Sequence, residues 1–401
     1  MLTIGADLLL FSLGGAAIGY LALAIWCVWR FRPASASEQG YRPGLTILKP
    51  LCGAHPDLYE CVRSFCRQDY PELQIIFGVA DASDSALPII RQIMSEFPER
   101  DVALVTDSAQ HGTNRKVSNL INMMTVAKHS ALIVCDSDVR IADNCLGALV
   151  GPLADLTVGA VTAPIRGIPR RGFAATLSCL FINDWYFPQT LIAEVLGPIR
   201  SCLGPLTVVR RDRLDAIGGF AALADQVADD FMLGQLIARR GDRVLISRTT
   251  IDVMVHDDIA SLVPHELRWA RTIRATEPKG HLWSVVTHLL PIVAPLLLIC
   301  PSSAGLALVL LTAAMRVFLN RLVCARLGVT KRPPLWLIFL REGACLAIWL
   351  SCYASRRVTW RGTNFTVGSG GDMRLRAPRN VPNLHPELAN DEPRLSWMGH
   401  P

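Results

Sequence analysis

The sequence predicts an α/β protein built on a mostly parallel sheet, with apolar helices attached at both ends. Three observations predict it. Strand-like and helix-like segments alternate between residues 41 and 280. Within them the apolar run Ala131-Leu132-Ile133-Val134 stops abruptly at Cys135-Asp136-Ser137-Asp138. A short apolar run ending in acids is the pattern of a buried parallel strand whose C-terminal end opens into a site. Finally, long stretches almost without charge lie near the N-terminus and after residue 281.

Taken in order, residues 8–29 carry no charge and are long enough to cross a bilayer. They end at Trp26, Trp29, Arg30 and Arg32, an interfacial anchor with its positive charge on the cytoplasmic side. A cleaved signal peptide would have a shorter apolar core and a small-residue cleavage site. Residues 1–32 therefore read as an N-terminal transmembrane helix. In residues 41–280, strands are expected at 45–48, 74–80, 102–106, 131–135, 159–163 and 206–209, and helices at 58–66, 86–97 and 116–127. Such alternation predicts a parallel sheet with helices on both faces.

Residues 281–357 read as C-terminal membrane segments. The stretch 285–315 is broken by Pro291, Pro295 and Pro301, giving two short spans or a hairpin. Residues 335–354 contain Arg341 and Glu342, costly at that depth unless paired. Arg321, Arg326, Lys331 and Arg332 before this stretch, and Arg356, Arg357 and Arg361 after it, all favour the cytosolic side. It is therefore expected not to span. From residue 370 to 401 the chain is polar, Pro-rich and aperiodic, and is expected to be a disordered tail.

Composition narrows the function. Of 401 residues 51% are hydrophobic and only 18% charged, so much of the chain belongs in a bilayer. A net charge of +6 suits anionic lipid heads or a nucleotide diphosphate better than a nucleic-acid groove. Twelve cysteines lie scattered without a Cys-x-x-Cys pair, as reduced cytosolic or membrane-buried thiols do.

Several motifs carry possible chemistry, each beside a plainer reading. Asp136 and Asp138 are spaced to hold a hard divalent cation through carboxylate oxygens, and the cation can grip a diphosphate; the plain reading is a solvated turn. Asp81 also follows a strand, where it can accept hydrogen bonds from a uracil or ribose, or serve its own turn. The stretch from His111 to Lys116 opens a helix, either as an anion cradle with Lys116 adding charge or as an ordinary cap by Thr113 or Asn114. Asp229 and Asp230 start an amphipathic segment; the helix dipole favours acids there, and one of them can act as a general base. Asp257-Asp258, after His256, has no link to a strand edge and reads as loop. His265-Glu266-Leu267-Arg268-Trp269 begins a helix with a basic stripe, Arg268, Arg271 and Arg274. Trp269 and Ile273 lie on its other side. It suits a membrane interface, or an acceptor pocket walled by Trp269 with Arg268 on a phosphate.

These motifs together resemble a family. Leu48-Lys49-Pro50-Leu51-Cys52-Gly53, Asp69-Tyr70-Pro71, the run from Gly112 to Leu120, and Gly172-Phe173-Ala174-Ala175-Thr176-Leu177 are similar, in order, to the ceramide glucosyltransferase-like family. The stretches Leu223 to Asp230 and His265 to Arg274 resemble its bacterial hopanoid-associated branch. The resemblance implies a GT-A nucleotide-diphospho-sugar-binding domain with N- and C-terminal transmembrane and interfacial helices. It implies an inverting transfer from a UDP-sugar to a membrane lipid hydroxyl: N-acetylglucosamine to bacteriohopanetetrol in the hopanoid branch, glucose to ceramide in the other.

Carried over, Asp81 would hold the uridine and Lys116 would face the nucleotide. Asp136 and Asp138 would bind the metal (Mg²⁺ or Mn²⁺) and diphosphate. Asp230 would be the base, with Asp229 beside it. Arg268 and Trp269 would close the family's Gln-x-x-Arg-Trp, where His265 replaces Gln or Arg. The family's Asp-Ser-Gly stands here as Asp136-Ser137-Asp138, so Asp136 is the firmer metal ligand. The implied setting is an integral protein of a bacterial inner membrane with a cytosolic catalytic domain. A processive polysaccharide synthase and an inactive membrane scaffold are the competing readings.

Overall fold

The computed structural model describes residues 2–34, 40–355, 357–360, 363–368 and 370–375. Helix α1 (Leu2–Arg30) leads into an alternating region. This begins with β1 (Leu45–Pro50), α2 (Leu58–Cys66), β2 (Leu73–Val79), α3 (Leu87–Glu96), β3 (Asp101–Thr106), α4 (Arg115–Met124) and β4 (Ala131–Cys135). It continues with β5 (Val139–Arg140), α5 (Leu146–Val150), β6 (Val158–Thr162), β7 (Ile165–Pro169) and α6 (Phe173–Phe181). A π-helical turn (Ile182–Tyr186) joins α6 to α7 (Phe187–Leu196). Then come β8 (Leu206–Arg210), α8 (Arg211–Ala216), α9 (Asp229–Arg239), β9 (Arg243–Ile246), β10 (Ile251–Val255) and α10 (Ile259–Thr276).

The main sheet runs β3-β2-β1-β4-β8-β6-β9. Only β8 is antiparallel to its neighbours, so the sheet is mostly parallel as expected. Every residue of β2 and β4 is buried, which is why β4 reads as an unbroken apolar run and β2 as one interrupted only near its start by the buried Gln74. Alternate side chains feed two cores. Ile47, Ile75, Phe77 and Ile133 pack on one face with α2 and α3. Leu48, Ile76, Leu132 and Val134 pack on the other with α4 and α9. The sequence missed a second sheet, β5-β10-β7. Asp252 interrupts the apolar pattern of β10, yet it is paired with Arg140 at 3.0 Å and Arg166 at 2.6 Å from the flanking strands.

The C-terminal part contains α11 (Pro278–Trp283), α12 (Leu290–Ile299), α13 (Ser303–Arg326) and α14 (Leu335–Ser351). Among the described residues three helices, 5–30, 303–326 and 335–354, are long and apolar enough to cross a membrane. The segment 278–299 is a broken pair bent by 51°. The two ionisable residues inside 335–354, costly there unless paired, are both neutralised. Arg341 pairs with Glu266 of α10 at 2.6 Å, and Glu342 with Arg316 of α13 at 2.7 Å. Arg316 also lies 3.5 Å over the Trp185 ring and donates to the Asp184 carbonyl, while Asn320 donates to the Asp184 carboxylate at 2.7 Å. The burial cost of these two charges is therefore met, while the basic residues on both sides of the segment still favour one face. Opening one such buried pair costs about 3–5 kcal/mol, so this network locks the π-turn, α10 and the apolar helices together.

The first residues of the tail expected from residue 370 are ordered. A hairpin of β11 (Arg357–Trp360) and β12 (Thr363–Val367) is extended by β13 (Met373–Leu375), and residues 376–401 lie outside the described residues. Arg271 and Arg274 of α10 donate to the Arg357 and Ser355 carbonyls, so two of the three basic-stripe residues hold this chain end. All twelve cysteines are free, eleven of them buried.

Candidate active site

In a parallel sheet all the strand C-termini share one edge. Asp136 follows β4 there, and its N–H donates to the Pro205 carbonyl at 2.9 Å. Lys116, in the first turn of α4, reaches across with its Nζ 2.8 Å from Asp136 and 3.3 Å from Asp229. Asn114 caps α4 by accepting from the Lys116 and Val117 N–H groups. The Thr113 N–H, which the anion-cradle reading leaves open for a ligand, donates instead to Asp225 at 2.8 Å. The cap reading is the realised one.

Asp229 and Asp230 open α9, as the sequence predicts. The segment before them is pinned from both sides. Asn114 donates to the Gln226 carbonyl, while Val227 donates to Gly371 and Met373 to Asp225. Close backbone approaches hold α9 itself. A Cβ on Gly234 would lie 2.6 Å from backbone atoms of Ser201 and Cys202, and one on Gly204 would lie 3.0 Å from an Asp230 oxygen. Gly234→Ala should therefore displace α9 and destabilise the domain by about 1–3 kcal/mol, read as a lower thermal midpoint in detergent. An unchanged midpoint would show that the helix has slack there.

Lys116, Asp229, Asp230, Val134, Gly204 and Thr207 surround a cavity of about 10 Å³, room for about one water. Burial, then the charge of Asp229, pushes Asp230 up to about 7. Burial, then Asp136, pushes Asp138 up to about 6. Lys116 is raised too: burial opposes its charge, but Asp136 and Asp229 more than compensate and hold it protonated. The edge thus carries one carboxyl poised near neutrality beside a fixed ammonium.

Asp81 ends β2 at the same edge, separated from β4 by β1. It accepts from the Ser83 N–H and hydroxyl, which hold its carboxyl below the usual range. These bonds realise the turn role, and the side chain is exposed.

Helix α10 begins at Ile259, not His265, with Asp258 as its cap. Asp257 and Asp258 lie in a loop, as read, but that loop does follow a strand. Asp257 follows β10 and accepts from Ser178 at 2.6 Å and from His265 Nδ1 at 3.1 Å. The His265 and Trp269 rings meet at 4.4 Å, and Trp269 stands 6.0 Å from Phe181. Trp269 is partly buried and packed on the domain core, an arrangement unlike that of a lipid anchor.

Other residues went unread. Lys49, at the end of β1, is fully buried and donates to the Asp136 carbonyl at 2.7 Å. A lysine at the end of an otherwise apolar strand was the available signal. His55 and His256 sit with ring centroids 5.1 Å apart, and Asp57 lies 3.4 Å from His256. Burial pushes both imidazoles down. Among the described residues no three His, Cys, Asp or Glu side chains converge to cage a metal. The hard oxygens of Asp136 and Asp138 fit Mg²⁺ or Mn²⁺ when substrate phosphates and water complete the shell.

The acid-lined edge of this sheet is the architecture of the GT-A glycosyltransferases. The chain is similar to the mannosyltransferase PcManGT from Pyrobaculum calidifontis, solved in complex with GDP-Man and Mn²⁺: TM-score 0.53, 20% identity, covering 81% of this chain and 100% of that one. The chain belongs to glycosyl transferase family 21, which it matches over residues 9–373. It is similar to ceramide glucosyltransferase 1 of Caenorhabditis elegans, 23% identical over 206 residues, 51% of this chain and 44% of that protein. The ceramide glucosyltransferase of Candida albicans is 35% identical over 126 residues, 28% of this chain and 23% of that protein. The alignments thus span less than half the length of these curated relatives.

Proposed function

We propose that this protein is an inverting glycosyltransferase that moves a sugar from a UDP-sugar to a lipid hydroxyl, at the cytosolic face of a bacterial inner membrane. The observation that carries the reading is Asp230: a carboxyl poised near pH 7, next to Lys116 and Asp136, in a domain locked to apolar helices by buried ion pairs. Asp230 takes the proton of the acceptor hydroxyl as that oxygen attacks the anomeric carbon. Attack from the face opposite the departing diphosphate inverts the centre. Lys116 faces the diphosphate, and Asp81 serves the uridine. Asp136 and Asp138 would hold Mg²⁺ or Mn²⁺, which supplies neutralising charge for the leaving UDP. Arg268 and Trp269, on the helix tied to Arg341, line the acceptor side. The acceptor stays anchored in the bilayer, so the helices convert a two-dimensional encounter into positioning.

The finer assignment is N-acetylglucosamine onto bacteriohopanetetrol, supported by the motif likeness of residues 223–230 and 265–274 to the hopanoid branch. The curated relatives favour a second reading, glucose onto ceramide. Purified protein in vesicles, offered each UDP-sugar with each lipid, separates them by the mass of the product. Consumption of neither donor with either lipid overturns the proposal. Asp136→Ala should weaken cation-dependent UDP binding by at least about tenfold, a loss seen even for groups that only orient metal ligands. An unchanged UDP titration removes Asp136 from the donor site.

A further inference from the structure

His265 stands where the family resemblance expects glutamine or arginine, and the structure supplies it with a partner. Asp257 lies at the foot of α10 and His265 two turns along it. Between them Pro264 lacks the N–H that would bond the Ala260 carbonyl. Both Asp257 oxygens lie near His265 Nδ1, at 3.1 and 3.3 Å. The carboxylate is itself held by the Ser178 hydroxyl at 2.6 Å and is mostly buried, with 12% of its side chain exposed against 32% for His265. The edge of the Trp269 ring system closes one flank of the imidazole at 4.4 Å.

A carboxylate on Nδ1 fixes which ring nitrogen carries the proton. Nδ1 must donate, so in the neutral ring Nε2 is left as an acceptor. An acceptor nitrogen matches a hydroxyl, whereas a diphosphate offers no proton to it. The glutamine of the resembling family offers both a donor and an acceptor, and arginine offers only donors. His265 with Asp257 behind it therefore presents a narrower chemistry than either residue.

We propose that Asp257 is a positioning residue that locks His265 in its Nδ1–H tautomer, so that Nε2 accepts a hydrogen bond from a hydroxyl of the lipid acceptor. The inference rests on the glycosyltransferase reading above and names the acceptor class as hydroxyl-bearing at this contact. Burial raises the Asp257 carboxyl, but the hydrogen bonds from His265 and Ser178 outweigh it and keep it ionised below the usual pKa.

The test is a double-mutant cycle with vesicle-borne polyol lipid and UDP-sugar. Asp257→Asn keeps an oxygen for Ser178 but can also turn its amide N–H toward the ring and favour the other tautomer. It should raise the KM for the lipid about tenfold and leave the KM for the UDP-sugar within about twofold. In a His265→Gln background, the same Asp257→Asn change should have almost no effect. Ser178→Ala, which removes only the far hydrogen bond, should fall between the two. An equal loss in both backgrounds, or a shift confined to the KM for the UDP-sugar, overturns the inference. If the unmutated protein transfers no sugar, it is the glycosyltransferase reading that has failed. Active wild type with additive mutants condemns the positioning role alone.

Discussion

Asp230→Asn is expected to lower transfer by about 10²–10⁴-fold, the range for losing a positioned general base, while leaving UDP binding close to unchanged. The asparagine is nearly isosteric, so it still fits against Gly204, where the backbone comes within contact of the side-chain oxygen. It cannot take a proton. The pH dependence follows from the same group. With its carboxyl raised to about 7 by burial and by Asp229, Asp230 is protonated and inactive in acid, and the transfer rate should climb through about pH 7 and then level. Stability runs the other way. The folded chain holds this proton more tightly than the unfolded chain, whose aspartates titrate near 4. Stability contributed by the group is therefore complete below about pH 4 and is lost as pH rises to about 7. An amide in its place has no such loss, so the variant should melt no lower than wild type at pH 8. A rate flat between pH 6 and 8, or full activity in the variant, removes Asp230 as the base.

How much of this was legible depended on whether a residue's partner lay nearby in sequence. The strands β1 to β4 and their helices follow from local pattern, since a strand buried on both faces writes itself as an apolar run. Asp136, Asp229 and Asp230 could be singled out because each sits at the end of such an element. The second sheet could not. Val139-Arg140 is two residues long, and β10 carries Asp252, which makes sense only once Arg140 and Arg166 arrive from other strands. Asp257 was placed correctly in a loop but left without a role for the same reason: its partners, Ser178 and His265, are 79 and 8 residues away. Arg341 and Glu342 carry adjacent opposite charges, which invites pairing them with each other. Helical geometry points neighbours apart, and each found a partner on a different helix.

Lys116→Met should produce the second large effect, because it removes the ammonium that Asp136 and Asp229 share. Breaking a buried pair by deleting one partner costs about 3–5 kcal/mol. With 18% of Lys116 and 35% of Asp136 exposed, the lower end applies, about 3 kcal/mol, read as a lower midpoint in detergent melts. Adding Asp229→Asn should return part of that loss, since it relieves one of the stranded charges. The functional signature is separate from the stability one. Lys116 pulls the Asp230 carboxyl down against burial and Asp229. Without it Asp230 ionises at higher pH, so the transfer profile of the folded fraction should move to more alkaline values, and UDP should bind less tightly. Lys116→Arg keeps the charge but not the compact ammonium, and the larger planar guanidinium has little spare room beside it, since the adjoining cavity is about 10 Å³; it should recover the pH profile poorly. A variant that only melts lower, with wild-type UDP affinity and an unshifted profile, would leave Lys116 a structural bridge and move the diphosphate elsewhere along the edge.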